Sequence, residues 1–312
     1  MPSARARGTE AASAELPGSS GSLDDFRARV YLLGRGLYRD LPWRRTRDPY
    51  AVWVSEAMLQ QTQVSRVDGR WQRWLERFPT PDALAAATSA DVLDEWQGLG
   101  YNRRALALWN AARVVSGTYA GELPRNEADL LALPGIGPAT ASGIRAFAFD
   151  EPGVYLETNV RAVFLHELFP EAQDVPDSAL RPLVAQACPQ APVDVHGADA
   201  LCTPRSWYYA LLDYGFHLKK TIPNPSRRSR SNVRQSAFEG SHRQKRAAAL
   251  RVLLAARAAA LPGVTAEEAA RALSEAEVAA GRPPVDSRAA AALLDELADE
   301  GFCRADDGAW MA

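Results

Sequence analysis

From about Leu23 to residue 220, apolar residues recur at helical spacing in segments of roughly 10 to 18 residues, separated by short loops marked by Pro, Gly or a capping residue. Pro49 precedes a segment bearing Val52, Trp53, Met58 and Leu59. Thr80-Pro81 leads into Leu84, and Ser89 reads as the cap of a helix with Val92, Leu93 and Trp96. No run of alternating strands interrupts this pattern, so the body is expected to be all-α. Beyond it, Lys245–Ala260 predicts an Ala/Leu helix, Thr265 caps a second running through Leu273, and Asp286 opens a third ending at Gly301. Phe302–Met311 reads as a hairpin around Asp306-Asp307-Gly308, so the C-terminal unit is expected to be a small winged helix.

The periodicity divides the chain into residues 1–22 as a disordered leader, 23–220 as the helical body, 221–244 as a basic connector and 245–312 as the winged-helix-like unit. The leader is rich in Ala, Ser, Gly and Glu without apolar period, and the connector carries Pro223, Pro225 and several serines. Composition is that of a globular protein, 47% hydrophobic and 24% charged. No stretch reaches the roughly 18 apolar residues of a membrane span, and the first residues lack a secretory h-region, so a cytoplasmic, nucleoid-associated monomer is expected.

The net charge of -2 argues against a nucleic-acid partner, but its distribution does not. From Lys219 to Arg246 the chain holds Lys219, Lys220, Arg227, Arg228, Arg230, Arg234, Arg243, Lys245 and Arg246 against the single acid Glu239, a strip suited to phosphates or to a solvated linker. From Val264 onward, eleven acids face four arginines. An acidic recognition helix opposes DNA, so this unit is expected to dock a protein partner rather than read bases.

Two strings carry the chemistry. In Leu133-Pro134-Gly135-Ile136-Gly137-Pro138-Ala139-Thr140-Ala141, two glycines let the backbone turn tightly and leave amides uncovered at a helix start, where a phosphate is favoured. Such a clamp, with Gly135, Gly137 and Thr140, positions DNA without reading its sequence. In Trp53-Val54-Ser55-Glu56-Ala57-Met58-Leu59-Gln60-Gln61-Thr62-Gln63-Val64, helical spacing sets Glu56 among apolar neighbours in the first turns. Desolvation there would let it hold a proton for a departing base.

Together with Arg39-Asp40-Leu41-Pro42-Trp43-Arg44 and Gly98-Leu99-Gly100-Tyr101, these strings resemble MutY-type adenine DNA glycosylases of the helix-hairpin-helix superfamily over about Tyr31–Lys219. The resemblance implies a two-lobed helical body that flips a nucleotide out of double-stranded DNA containing a mismatch or lesion. It implies protonation of the leaving adenine by Glu56, a wedge at Gln61 beside Gln60, and support of the damaged strand at Tyr101. The base pocket implied comprises Arg39, Trp43, Arg44, Leu59, Ala139 and Tyr209. Lys219, Lys220, Arg227 and Arg228 are expected on phosphates.

The chain departs from the family at four places. Glu157, in Leu156-Glu157-Thr158-Asn159-Val160, stands where an aspartate normally stabilises the sugar cation, with Asn159 beside it. Ala139 replaces the Schiff-base lysine of strand-cleaving relatives, implying water as nucleophile. Tyr209 takes the slot that offers Gln or Glu to adenine. The last core helix leads into the connector without cysteine, so the iron-sulfur cluster of relatives is expected to be absent, and the scattered Cys188, Cys202 and Cys303 imply no metal. Excision of adenine opposite guanine or 8-oxoguanine is expected, with T or U opposite G, an altered purine, or a non-catalytic DNA-binding homologue as alternatives.

Overall fold

The computed structural model describes residues 22–232 and 237–312. In chain order the helices are α1 (Leu23–Gly36), α2 (Pro49–Leu59), α3 (Val64–Val67), α4 (Arg70–Arg77), α5 (Pro81–Ala86), α6 (Ser89–Glu95), α7 (Arg103–Thr118), α8 (Glu127–Ala132), α9 (Pro138–Phe149), α10 (Thr158–Leu168), α11 (Asp177–Ala187) and α12 (Pro204–Thr221). Then follow α13 (His242–Ala258), β1 (Val264–Thr265), α14 (Ala266–Ala279), α15 (Ser287–Asp299), β2 (Arg304–Asp306) and β3 (Ala309–Met311). The expected all-α body is observed. Residues 1–21 of the expected leader and residues 233–236 of the connector, Arg234 among them, lie outside the described residues, whereas Ser22 caps α1.

Caps explain most helix starts. Ser22, Thr88, Thr203 and Thr265 each accept from the backbone of the third helical residue, whose side chain bonds back, which satisfies donors a helix start leaves open. The cap of α6 is thus Thr88, one residue before the expected Ser89.

The chain groups into two compact units that cut across the expected division. The first combines residues 22–52 with 136–232, and the second 53–135 with 237–312. Continuous sequence periodicity cannot show this, because it reports each helix's apolar face but not the partner that covers it.

In the first unit, α1, α9, α10, α11 and α12 bury Phe26, Val30, Phe147, Val160, Phe164, Trp207 and Tyr208. Phe26 meets Phe164 and Trp207 edge-on, with centroids 5.4 and 6.3 Å apart. The backbones of α10 and α12 approach so closely that a methyl group on Gly215 would sit 2.2 Å from the Asn159 carbonyl oxygen.

In the second unit, Trp74 packs against Phe78 and Trp96 at 5.0 and 5.5 Å between the helices of residues 53–135. Its C-terminal part surrounds Leu250, Leu253, Leu273, Leu293, Leu294 and Leu297 with α13, α14 and α15 and an antiparallel sheet of order β1-β3-β2. Val264 pairs with Trp310 and Ala305 with Trp310 from the other side. The hairpin was expected. Strand β1 was not, since two residues are too few to show alternation.

Glu296 of α15 and Glu300, which caps its C-terminal end, are taken up within the unit. Arg103 at the start of α7 grips Glu300 with two bonds of 2.9 and 2.7 Å, and Arg246 bonds Glu300 and Glu296 at 2.6 and 2.7 Å. The Arg103 bonds lead the effects that hold the Glu300 carboxyl down to about 2. Arg257 of α13 bonds Asp91 of α6 at 2.9 Å. The C-terminal part is therefore tied electrostatically to the helices that precede it.

Candidate catalytic residues and DNA-contact surfaces

Glu56 is half-buried on α2, between the fully covered Ser55 and Ala57. It lies in the C-terminal half of the helix, not in the expected first turns, because α2 already begins at Pro49, with Asp48 accepting from the Tyr50 amide at 3.1 Å. Leu59 closes the helix, Gln60 is exposed, and Gln61 takes a left-handed conformation with φ 53. Tyr101, 41% exposed, is also left-handed, with φ 49. Non-glycine residues in this region carry strain that the surroundings must hold. Both expected strand-contacting positions, Gln61 and Tyr101, are thus corners of strained loops in the second unit.

The loop before α9 has the expected form. Gly135 has φ 76, and a methyl there would lie 2.6 Å from Ala107 Cβ, so no other residue fits. Gly137 caps α9 with no side-chain hydrogen bond, and Gly135, Gly137 and Pro138 are exposed. Ala139 is half-buried in the first turn and Thr140 is 8% exposed, so the anion-favouring feature is the backbone, not the threonine side chain.

In the first unit, Glu157 is the N-cap of α10. Its Oε1 accepts from the Asn159 and Val160 amides at 2.6 and 2.9 Å, and its Oε2 from Asn159 Nδ2 at 3.3 Å. The cap fixes the carboxylate's direction. Burial pushes the Glu157 carboxyl up, opposed by the Val160 amide and the charge of Lys219. Lys219 is pulled down by its own burial and supported by Glu157. Lys219, expected on phosphate, lies near enough for its charge to act on this carboxylate. Lys220 is exposed, its ammonium 4.4 Å from the Phe216 ring centroid.

Arg39, Arg44 and Tyr209 belong to a network around Asp213 of α12. Arg44 binds both Asp213 oxygens at 2.6 and 3.0 Å, Arg39 adds a bond of 2.5 Å, and both Asp213 and the Arg44 side chain are almost wholly covered. Tyr209 stacks on Phe147 at 4.7 Å, with the Arg44 and Arg205 guanidiniums 4.6 and 5.3 Å from its centroid. Arg205 in turn donates to the Arg44 and Thr46 carbonyls at 2.9 and 2.7 Å. Trp43 is buried beside them at 5% exposure. These residues, expected to face a base, are engaged inside the first unit. Asp213 was missed in sequence because an aspartate within a helix has no signature until its arginines are placed.

The connector needs a correction. Arg228, expected on a phosphate, donates to the Leu165 carbonyl at 2.8 Å and to those of Phe169 and Pro170. These carbonyls lie at the C-terminal end of α10, where a cation complements the helix dipole. Arg230 pairs with Asp174, and Val175 bridges to Arg228 and Arg230 through backbone bonds of 3.0 Å each. Ser226 and Ser229 are buried. The strip is therefore strapped to the first unit, leaving Arg227 and Lys220 as its exposed cations between Lys219 and Arg230 that were expected to meet DNA.

Cys188 and Cys202 sit in the first unit's core, Cys202 pushed up to about 12 by burial, and Cys303 belongs to the second unit. Three cysteines in the chain are one short of a four-thiolate cluster. Among the described residues, no group of His, Cys, Asp and Glu is arranged to hold a metal, and no helix is long and apolar enough to cross a membrane.

Residues 54–197 match the model of the HhH-GPD superfamily base excision DNA repair proteins. The chain is 48% identical over 126 residues to the adenine DNA glycosylase of Mycolicibacterium smegmatis, a match covering 40% of this chain and 43% of that one. It is 43% identical over 127 residues to that of Mycobacterium tuberculosis, covering 40% and 42%, and 43% identical over 131 residues to that of Rattus norvegicus, covering 39% and 25%. The matches thus span less than half the length of these relatives. A solved structure of a non-covalent endonuclease III–DNA complex shares the fold at TM-score 0.50 and 18% identity, over 64% of this chain and 89% of that one. Residues 54–197 thus resemble the HhH-GPD base excision DNA repair proteins, and over about two fifths of its length the chain is similar to the adenine DNA glycosylases.

Proposed function

We propose that the chain is a monofunctional DNA glycosylase that hydrolyses the N-glycosidic bond of a mispaired base, adenine opposite guanine or 8-oxoguanine, without strand cleavage. The observation that carries this reading is the carboxylate of Glu157, held by two amides at the start of α10 with Lys219 beside it. It is an oriented anion of the kind that stabilises a sugar cation. Glu56 supplies the other half: its proton goes to the departing base as the C1′–N bond breaks with its electron pair. Water adds to C1′ and gives up a proton to the Glu56 carboxylate, which restores the acid. Ala139 offers no amine for a Schiff base, so the product is an abasic site on an uncut strand.

With one cysteine too few, the chain works without the cluster, and the Arg228 strap closes the end of the first unit. The C-terminal part, a winged-helix arrangement in this reading, docks a protein partner. Its acidic helix is unsuited to DNA, although Glu300 already serves the chain itself. The protein acts as a cytoplasmic, nucleoid-associated monomer.

Glu157 in place of aspartate motivates the second reading, removal of T or U opposite G or of an altered purine. Single-turnover assays on A:8-oxoG, A:G, T:G and U:G duplexes, with alkali revealing abasic sites, separate the two. Base release from the adenine pairs is expected, with the strand broken only after alkali. Release confined to pyrimidine pairs would overturn the adenine assignment, and tight binding with no release from any duplex would mean a non-catalytic homologue.

A further inference from the structure

Within the second unit, one side chain joins two loops that the sequence keeps about 40 residues apart. Arg104, in the first turn of α7, sends Nη1 to the carbonyl oxygens of Ala57, Met58 and Gln60 at 2.7, 3.0 and 2.6 Å. Its Nη2 reaches Thr62 Oγ1 at 3.0 Å and the Leu99 and Gly100 carbonyls at 3.3 and 3.0 Å. Its guanidinium carbon lies 5.3 and 5.4 Å from the ring centroids of Trp96 and Tyr101. The first three oxygens belong to the last turn of the Glu56 helix and the residue after it, so Arg104 caps that helix with a cation. No carboxylate appears among its partners here, and burial brings it down to about 10.

The strained corners lie at the ends of these arms. Gln61, with φ 53, stands between Gln60 and Thr62, both held by Arg104, and Tyr101, with φ 49, directly follows the held Gly100. Left-handed glutamine and tyrosine persist only where neighbours fix them. Only a planar fork with donors on both sides reaches the two sets of carbonyls at once.

We infer that Arg104 is the positioning residue of the strand-opening surface: it locks the Gln60–Thr62 and Gly98–Tyr101 loops in register with the Glu56 helix, so that Gln61 and Tyr101 enter a duplex without first being ordered. This rests on the glycosylase reading. Arg104 touches no reacting atom, and its effect falls on extrusion of the base rather than on breakage of the bond.

The test is Arg104→Lys, which keeps the charge and loses the fork. Single-turnover excision from an A:8-oxoG duplex should slow by about 10- to 100-fold, the scale of an ångström of misplacement. In a Glu56→Gln background, the rise in 2-aminopurine fluorescence at the target position should slow by a similar factor. A purely structural role instead lowers the folded fraction and leaves the extrusion rate per folded molecule unchanged, which would overturn the inference, as would excision within twofold of the native chain. Should Arg104→Lys fail to fold, Gln61→Gly and Gln61→Ala take its place. Both remove the side chain, but glycine also frees the corner, so glycine should be slower by about threefold; equal rates would overturn the inference. A native chain that releases no base from any duplex defeats the glycosylase reading and this inference together, whereas a native rate with an unaffected Arg104→Lys defeats this inference alone.

Discussion

Two guanidinium clusters, one in each unit, solve different problems. In the first unit, Arg39 and Arg44 converge on Asp213, so that two cations share one carboxylate of opposite sign. In the second, Arg104 is held by main-chain carbonyls and a threonine hydroxyl. A matched ion pair fixes side chains of a core, and removing one partner leaves a stranded charge. A cation on carbonyls fixes backbone, because each acceptor belongs to the chain path itself. The first unit therefore uses arginine to hold the support around α12, and the second uses it to shape exposed loops.

The comparison can be broken by mutation. The largest effect is expected at Glu56, where Glu56→Gln should lower single-turnover excision by about 10²- to 10⁴-fold while duplex affinity and melting temperature stay near native. Asp213→Leu should instead cost about 3–5 kcal/mol in urea unfolding, because two arginines lose their carboxylate. A loss below about 1 kcal/mol would show that the pair is replaceable and the contrast between the units false. Arg228→Ala removes bonds at the end of α10 and should cost about 1.5–3 kcal/mol of stability with little change in salt dependence. Arg227→Ala should do the reverse, reducing the slope of log affinity against log salt by about 1.

The smallest effect concerns pH. Burial raises the Glu157 carboxyl and Lys219 opposes that rise. If the ionised form is the working one, activity is lost as pH falls through this raised value, so the acid limb of the rate profile lies above that of an ordinary glutamate. Lys219→Met removes the opposing charge and should move that limb to still higher pH, whereas Lys219→Arg should leave it near native. A limb that does not move in Lys219→Met would separate the lysine from the carboxylate.

Much of this molecule was written locally. Helical periodicity gave the all-α body, caps at Thr265 and Asp286 marked helix starts, and the strings around Glu56 and Gly135 fall within the segment that matches the HhH-GPD family model. The helices and strings are legible because they depend on neighbours a few residues away.

The arginines were not legible. Arg44 reaches Asp213 across 169 residues, Arg228 reaches Leu165 across 63, and Arg104 reaches Gln60 across 44. A basic residue in sequence looks the same whether it meets a phosphate, a carboxylate or a helix end. Its partner is decided by which backbone or acid the fold brings within about 3 Å, and carbonyl acceptors, present at every residue, leave no mark in the sequence. The sequence by itself determined which helices form and which acids could do chemistry; only the tertiary structure decided which charges stay exposed and which hold the protein in shape.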